Sequence, residues 1–495
     1  MLFNSFQFLL FFFVVLAVYY ATPAVRNREF QNGWLLLCGY VFYAFSSVKM
    51  LPLLMLSTLL FWGLGFWLRR SLDGGNETRA KYVKWLGCCV GVGILFYFKY
   101  LGFFAEQIAS ALGRIGLSPT WPTMYVAIPC GVSFFVFRLI SYLIEIDRGR
   151  IEPCEKLVDF ALYISFFPCI LSGPIDRPDK FLRQIERPRS FDYGLAVDGC
   201  RQILWGMFTK MCIADNLARM TDTVWAGYGS MSASVIFLCA ILYPIQMYAD
   251  FDGYSNMAIG IAKILGIRVA RNFNHPFLGR NMAEFWRGWH MSLTQWCTDY
   301  IYMPLTLSFR DKGRVGTALA VIVNFIVIGF WHGANWTYGL FGLYHGLLFF
   351  PLVLSSGGMK KTKLSATRYG LPHLWDVAKM LVVYVLVAGG LIIFRAPSVQ
   401  QAFAFFAKVS DPSALTDIMV GGGQVMQMMD GAVKFSLVVL IPFSEWFCRR
   451  KEHALQLDGG IFFRSVFLRR ALYVVLILCI LIFKGSETEF IYFQF

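Results

Sequence analysis

Apolar runs separated by short polar loops set the rhythm of this chain. The runs fall near residues 5–22, 34–68, 86–106, 124–145, 157–172, 202–215, 233–249, 256–266, 317–330, 337–355, 379–394, 433–447 and 471–483, the second long enough for two crossings. A membrane-crossing helix needs about 20 apolar residues. The pattern therefore predicts an all-α, polytopic transmembrane protein of about eleven to thirteen spans, with twelve preferred. The shorter runs are expected to be tilted, re-entrant or buried inside the protein. No repeat period and no pair of matching halves is visible, which removes the inverted-repeat signature of secondary transporters. The expectation is a single integral-membrane domain over 1–495.

Composition agrees with the pattern. Hydrophobic residues make up 57% of the 495 and charged residues 15%, against about 25% charged in a soluble domain. The first run, Phe6 to Tyr20, has no basic stretch before it and no small-residue cleavage site after it, so it reads as a retained span and not a signal peptide. The net charge of +15 sits in short loops between apolar runs. That placement is the signature of cytoplasmic loops and argues against nucleic acid as a partner; membrane lipid is the expected surroundings. Cys88, Cys89, Cys169, Cys239 and Cys479 lie in apolar runs without metal spacing and read as reduced, buried hydrophobes.

The charges also orient the chain. Nothing basic precedes the first run, whereas Arg26 and Arg28 follow it; Arg449, Arg450, Lys451, Arg464, Arg469 and Arg470 precede the last run. Both ends then lie outside, which requires an even number of crossings. Further basic loops occupy 69–84, 177–189, 268–287 and 360–368. Two readings stand for them: solvated loops beside anionic headgroups, or an attractive surface for an anionic nucleotide carrier such as coenzyme A.

Polar residues concentrate between Tyr248 and His345. First comes YADFDGYSN, with Asp250, Asp252 and Tyr254; the two acids could polarise a histidine or hold a loop through hydrogen bonds. Next, Arg287 and His290 lie among Trp286, Trp289 and Trp296. Then IGFWHGANW sets His332 between Trp331 and Gly333, with Asn335 nearby, and His345 follows. An ionisable residue at membrane depth costs roughly 2.5–3.5 kcal/mol on insertion scales, which marks His332, and more weakly His345, as functional candidates; His290 by itself reads as an interfacial histidine of an aromatic belt. On one straight helix His332 and His345 would be about 20 Å apart. His290, from a separate segment, can converge on His332.

Metal-binding HExxH or paired CxxC spacing is missing, as are GxSxG, Walker A and Rossmann fingerprints. What remains is a buried histidine acting as general base on a hydroxyl. A tyrosine hydroxyl near pKa 10 against a histidine near 6.5 leaves that proton transfer roughly 5 kcal/mol uphill. Deprotonation must then accompany attack.

Several ordered blocks carry a resemblance: Phe166-Phe-Pro with Ser172-Gly-Pro-Ile, Asp250-Phe-Asp-Gly-Tyr-Ser, Arg271-Asn-Phe-Asn, Phe285-Trp-Arg-Gly-Trp-His-Met-Ser, Asp299-Tyr-Ile-Tyr-Met-Pro, Phe330-Trp-His-Gly-Ala-Asn-Trp and Phe490-Ile-Tyr-Phe-Gln-Phe. The chain resembles the membrane-bound O-acyltransferase family, in the bacterial branch of the alginate O-acetyltransferase membrane subunit and the teichoic-acid D-alanyl transfer protein. It departs at Gly288, where relatives often carry a second arginine, and at Asn256, where many carry an acid. The resemblance implies a core over 157–355, a two-sided tunnel through a bacterial cytoplasmic (inner) membrane, His332 as catalytic residue and His290 as its second histidine. Trp289, Trp331, Arg287, Asp250, Asp252, Tyr254 and Asn335 become candidates for lining the tunnel. It also implies a cytoplasmic thioester donor, acetyl-CoA or an acyl carrier, with no bound cofactor and no metal, and an extracytoplasmic acetyltransferase partner passing the acyl group to a polysaccharide.

The segment 471–495 reads as a last span followed by an extracytoplasmic FIYFQF tail. The tail is either an aromatic-belt anchor or a relay that presents Tyr492 to the acyl group and splits one transfer into two. D-alanyl transfer, acylation of membrane lipids and non-catalytic transport of an acyl group or lipid remain as alternative functions.

Overall fold

The computed structural model describes residues 1–21, 27–117, 128–355, 367, 370–457, 464–488 and 490–491. All regular secondary structure among them is helical, and they fall into two compact units, 1–200 with 258–270 and 201–257 with 271–495.

The first unit contains α1 (Phe6–Tyr19), α2 (Arg28–Ser47), α3 (Leu51–Asp73), α4 (Glu77–Leu95), α5 (Leu101–Arg114), α6 (Val132–Asp147), α7 (Leu157–Ser165), α8 (Pro178–Ile185) and the start of α9 (Tyr193–Phe208). Asn27 starts α2 by accepting from the backbone N–H groups of Glu29 and Phe30, filling donors that a helix start leaves open. The stretch Arg28–Asp73 turns back on itself at residues 48–50. Glu29, near its beginning, pairs with Lys156, while Arg69, near its end, pairs with Glu152 at 3.0 Å. Residues 152 and 156 can be at most about 14 Å apart, whereas a straight helix of that length would run for roughly 70 Å. The run at 34–68 is therefore two helices, as its length suggests.

Two arginines in this unit show how a buried cation is accommodated. Arg138 donates to the carbonyls of Tyr163, Ile164, Cys169 and Pro174, holding the Phe166–Pro174 turn against α6. Arg189, expected in a solvated loop, is instead buried, with its guanidinium donating to Tyr19 Oη at 2.5 Å and Asn32 Oδ1 at 2.6 Å. A basic residue at the edge of a loop is free to turn inward when fixed acceptors replace its water.

The second unit contains α10 (Asp215–Gly227), most of α11 (Ala233–Ile264), α12 (Met291–Cys297), α13 (Gly313–His332), α14 (Trp336–Leu348), α15 (Leu374–Arg395), α16 (Val399–Val409), α17 (Ile418–Met428), α18 (Leu440–Phe447) and α19 (Val466–Phe483). Glycines let α13 and α14 lie backbone to backbone. A Cβ at Gly342 would sit 2.7 Å from Ile326 Cα, and one at Gly346 would sit 2.9 Å from Ile322 Cα. The pairing runs 322 with 346 and 326 with 342, so the two helices form an antiparallel hairpin of the small-residue type that close membrane packing favours.

Among the described residues, seven helical stretches are long and apolar enough to cross a membrane, counting the doubled-back Arg28–Asp73 once, or eight counting a pair bent by 101° at 429–431. The protein is thus a polytopic integral membrane protein, and the preferred figure of twelve is not reached on this criterion. The run at 157–172 shows why. It breaks at Phe166 into a nine-residue helix buried from Phe160 onward and a buried four-residue helix, and nine residues rise only about 14 Å against a 30 Å hydrocarbon core. An apolar run reads alike whether protein or lipid surrounds it.

Candidate active site

Two segments of the second unit bring the chemistry together. His332 ends α13, where Gly333 continues in an extended conformation and Asn335 restarts the chain as the N-cap of α14, accepting from Thr337 N at 3.1 Å. Gly333 admits the Tyr338 ring where a Cβ would overlap it. Asn335 also donates to Pro397 O at 2.9 Å, so its amide is engaged in holding the tip of the hairpin.

His290 arrives on a different backbone. It sits at φ +43°, in the left-handed region that non-glycine residues rarely enter, and begins α12. The strained position is held from both sides. Met291 N donates to Asn272 O at 2.7 Å, Asn274 N to Gly288 O at 3.0 Å, and Ser292 Oγ to Asn272 Oδ1 at 2.6 Å, while Asn272 donates onward to Ser255 Oγ at 2.9 Å. The Arg271-Asn-Phe-Asn and Phe285–Ser292 blocks are thus one built loop. Gly288 is required within it, because a Cβ there would sit 2.7 Å from Asn274 O.

The His290 and His332 rings end 6.4 Å apart, centroid to centroid. Trp331 lies beside both, at 5.7 Å from His290 and 5.0 Å from His332. Phe251 meets His290 edge-on at 4.6 Å, and Phe394 meets His332 at 5.0 Å. Both histidines are buried, at 1% and 6% exposure.

His345 is elsewhere. The break at 333–335 replaces the straight helix considered from the sequence, and the hairpin returns His345 alongside α13. There it accepts from Trp286 Nε1 at 3.4 Å and packs on Phe341 at 4.6 Å, while Gly390 leaves room for its Nε2. Phe341 separates it from His332, touching both rings.

The two acids of the Asp250-Phe-Asp block point apart, since residues two apart on a helix lie about 200° round. Asp250 pairs with Lys210 at 2.6 Å and accepts from Ile491 N at 2.9 Å. Asp252 accepts from Asn256 Nδ2 at 2.8 Å and faces a small cavity with His275 and Glu445. Tyr254 stacks on Phe490 at 4.5 Å. Trp289 packs against Phe285, Phe273 and Tyr248. Arg287, exposed, lines a cavity of about 330 Å³ with Trp286, Gln295, Asp299, Asn324 and Phe325. Asn324 precedes His332 by eight residues on α13, or about 12 Å, and its Oδ1 is buried without a hydrogen-bond partner among the described residues. Tyr492 lies outside the described residues. Sequence reasoning passed over Lys210, although a lysine inside the apolar run 202–215 was a usable signal.

The chain is similar to several known proteins. The model of MBOAT, the membrane-bound O-acyltransferase family, matches residues 154–387. The "Probable alginate O-acetylase AlgI" of Azotobacter vinelandii is 34% identical over 413 residues, covering 82% of this chain and 77% of that protein. The chain belongs to the membrane-bound O-acyltransferase family. This acyltransferase is also 26% identical to the peptidoglycan O-acetyltransferase of Helicobacter pylori, over 100% of this chain and 98% of that protein. The teichoic acid D-alanyltransferase of Bacillus subtilis is 28% identical over 50% of the acyltransferase and 66% of its own length.

Proposed function

We propose that this acyltransferase takes an acetyl group from a cytoplasmic thioester, acetyl-CoA, and delivers it across the bacterial cytoplasmic membrane for O-acetylation of an extracytoplasmic polysaccharide. The names of its relatives supply the class of acceptor: alginate, peptidoglycan and teichoic acid are all polymers outside that membrane. The observation that carries the mechanism is the pair His290 and His332, from separate segments, facing each other inside an aromatic box. His332 takes the proton of an acceptor hydroxyl as its oxygen attacks the thioester carbonyl. The carbon–sulfur bond breaks, the thiolate leaves and recovers the proton, and an O-acyl ester remains. Burial strengthens each charge interaction in this step by excluding water.

The cavity beside Arg287 and Asn324 lies on α13 towards Arg310, Lys312 and Arg314, the basic end that the positive-inside rule assigns to the cytoplasm. It supports donor entry from that side. The first acceptor is the Tyr492 hydroxyl, which follows a docked Ile491 by one residue; an extracytoplasmic acetyltransferase partner then receives the acyl group from the tyrosyl ester.

Acetyl content of each surface glycan, measured in a deletion strain complemented with wild type or His332→Ala, tests the proposal. Acetylation restored only by wild type, with both proteins equally present in the membrane, is expected. Equal restoration by His332→Ala would overturn it.

A further inference from the structure

The chemistry described so far leaves one buried ionic cluster unused. Lys210 lies in the turn Thr209–Ala214 and contacts two carboxylates, Asp250 at 2.6 Å and Asp215 at 2.8 Å. All three side chains are at least nine-tenths buried. One ammonium between two carboxylates leaves a net negative charge in a low-dielectric interior, which is tolerated only where further donors complete it. Those donors come from residues 484–491. Thr488 Oγ1 donates to Asp215 Oδ1 at 2.6 Å, and Ile491 N donates to Asp250 Oδ2 at 2.9 Å. Lys210 in turn donates to Thr488 O at 3.3 Å.

Further contacts set the register of that segment. Gly485 N donates to Met211 O at 2.9 Å, and Asn216 Nδ2 donates to Phe483 O at 2.9 Å. Gly485 has no room for a side chain, since a Cβ would meet Asp215 at 2.8 Å. Beyond Thr488, the Phe490 ring stacks on Tyr254 and lies 5.7 Å from Phe251, the same ring that meets His290 edge-on. The segment is therefore fixed at three successive heights and ends against the aromatic wall of the histidine pair.

We propose that Lys210, with Asp215 and Asp250, is a positioning latch that docks residues 484–488 and 490–491, the stretch preceding Tyr492 in sequence, against the aromatic wall of the His290–His332 site. This deepens the relay reading and rests on it for its functional consequence. Lys210 itself acts through the segment and does not touch the reacting atoms. Isolated acids and lysines at this depth are costly, and a cluster that bridges three separate stretches of chain gives them a common purpose.

The test uses the full chain in detergent, with hydrogen–deuterium exchange of peptides covering 484–491 and transfer of labelled acetyl from acetyl-CoA to Tyr492. Lys210→Met is expected to speed exchange of the segment at least tenfold and to lower kcat for Tyr492 acetylation at least tenfold, with KM for acetyl-CoA unchanged. Lys210→Arg keeps the charge and should recover part of both losses. Because Lys210→Met strands two carboxylates and can prevent folding, Lys210→Met/Asp215→Asn/Asp250→Asn, which removes every charge at similar volume, is the second arm. Thr488→Val removes only the donor on the segment. Wild-type exchange over 484–491 in the folded triple variant and in Thr488→Val would overturn the latch. Full glycan acetylation in Tyr492→Phe would instead overturn the relay, and the exchange result would still decide the latch.

Discussion

The tip and the base of the α13–α14 hairpin each hold a buried histidine, and the two are built differently. At the tip, His332 ends a helix, the backbone breaks, and a second histidine is brought from a loop strained at His290. At the base, His345 sits within α14, accepts from Trp286, and fills a space that Gly390 leaves open. Burial alone therefore does not identify the reacting residue, because His345 is as buried as His290. The distinguishing feature is the backbone. At the tip the backbone breaks at Gly333–Asn335 beside His332, whereas at the base His345 sits within an unbroken helix, its ring fitted against Gly390.

The largest expected break in this comparison is His332→Ala. Loss of the proposed general base should lower acetyl transfer by about 10³-fold or more, measured with labelled acetyl-CoA in purified protein whose thermal midpoint is unchanged. His290→Ala comes next, at about 10²-fold if it assists proton movement without being the base. Comparable losses from both would make them one unit, and wild-type transfer from His290→Ala would remove it from the site. At the base the expected effects are on stability. Gly390→Ala drives a methyl into the His345 ring and should cost about 1–3 kcal/mol, read as a lowered thermal midpoint. His345→Phe should be mildest, losing one hydrogen bond worth about 1 kcal/mol while transfer stays at the wild-type level. A collapse of transfer in folded His345→Phe would erase the distinction between tip and base.

Much of this was legible from the residues. The all-helical membrane class followed from runs of apolar residues, and His332 stood out as an ionisable group at membrane depth; His290 alone read as an aromatic-belt histidine, and only the fold sets its ring 6.4 Å from that of His332. Span count was not legible in the same way. The α11 run and the α19 run are both apolar, yet 78% of the first is buried inside the protein and 11% of the second. Lipid and protein interior present the same solvent to a leucine, so hydropathy cannot separate them. Asp250 and Asp252 were equally ambiguous: two acids two residues apart suggested one site, and helical geometry sent one to Lys210 and the other to the Asn256 and Glu445 side.

From the sequence alone come the solvent this protein lives in, the residues able to do acid–base chemistry, and the blocks that resemble its family, because each is written in local composition and order. Which histidines meet, which glycines are obligatory, and where Lys210 finds its partners are decided only by the fold. Residues 210, 250 and 491 are joined by charge and hydrogen bonds across 241 positions of chain between the last two, and no local pattern encodes a contact whose strength depends on water being excluded from it.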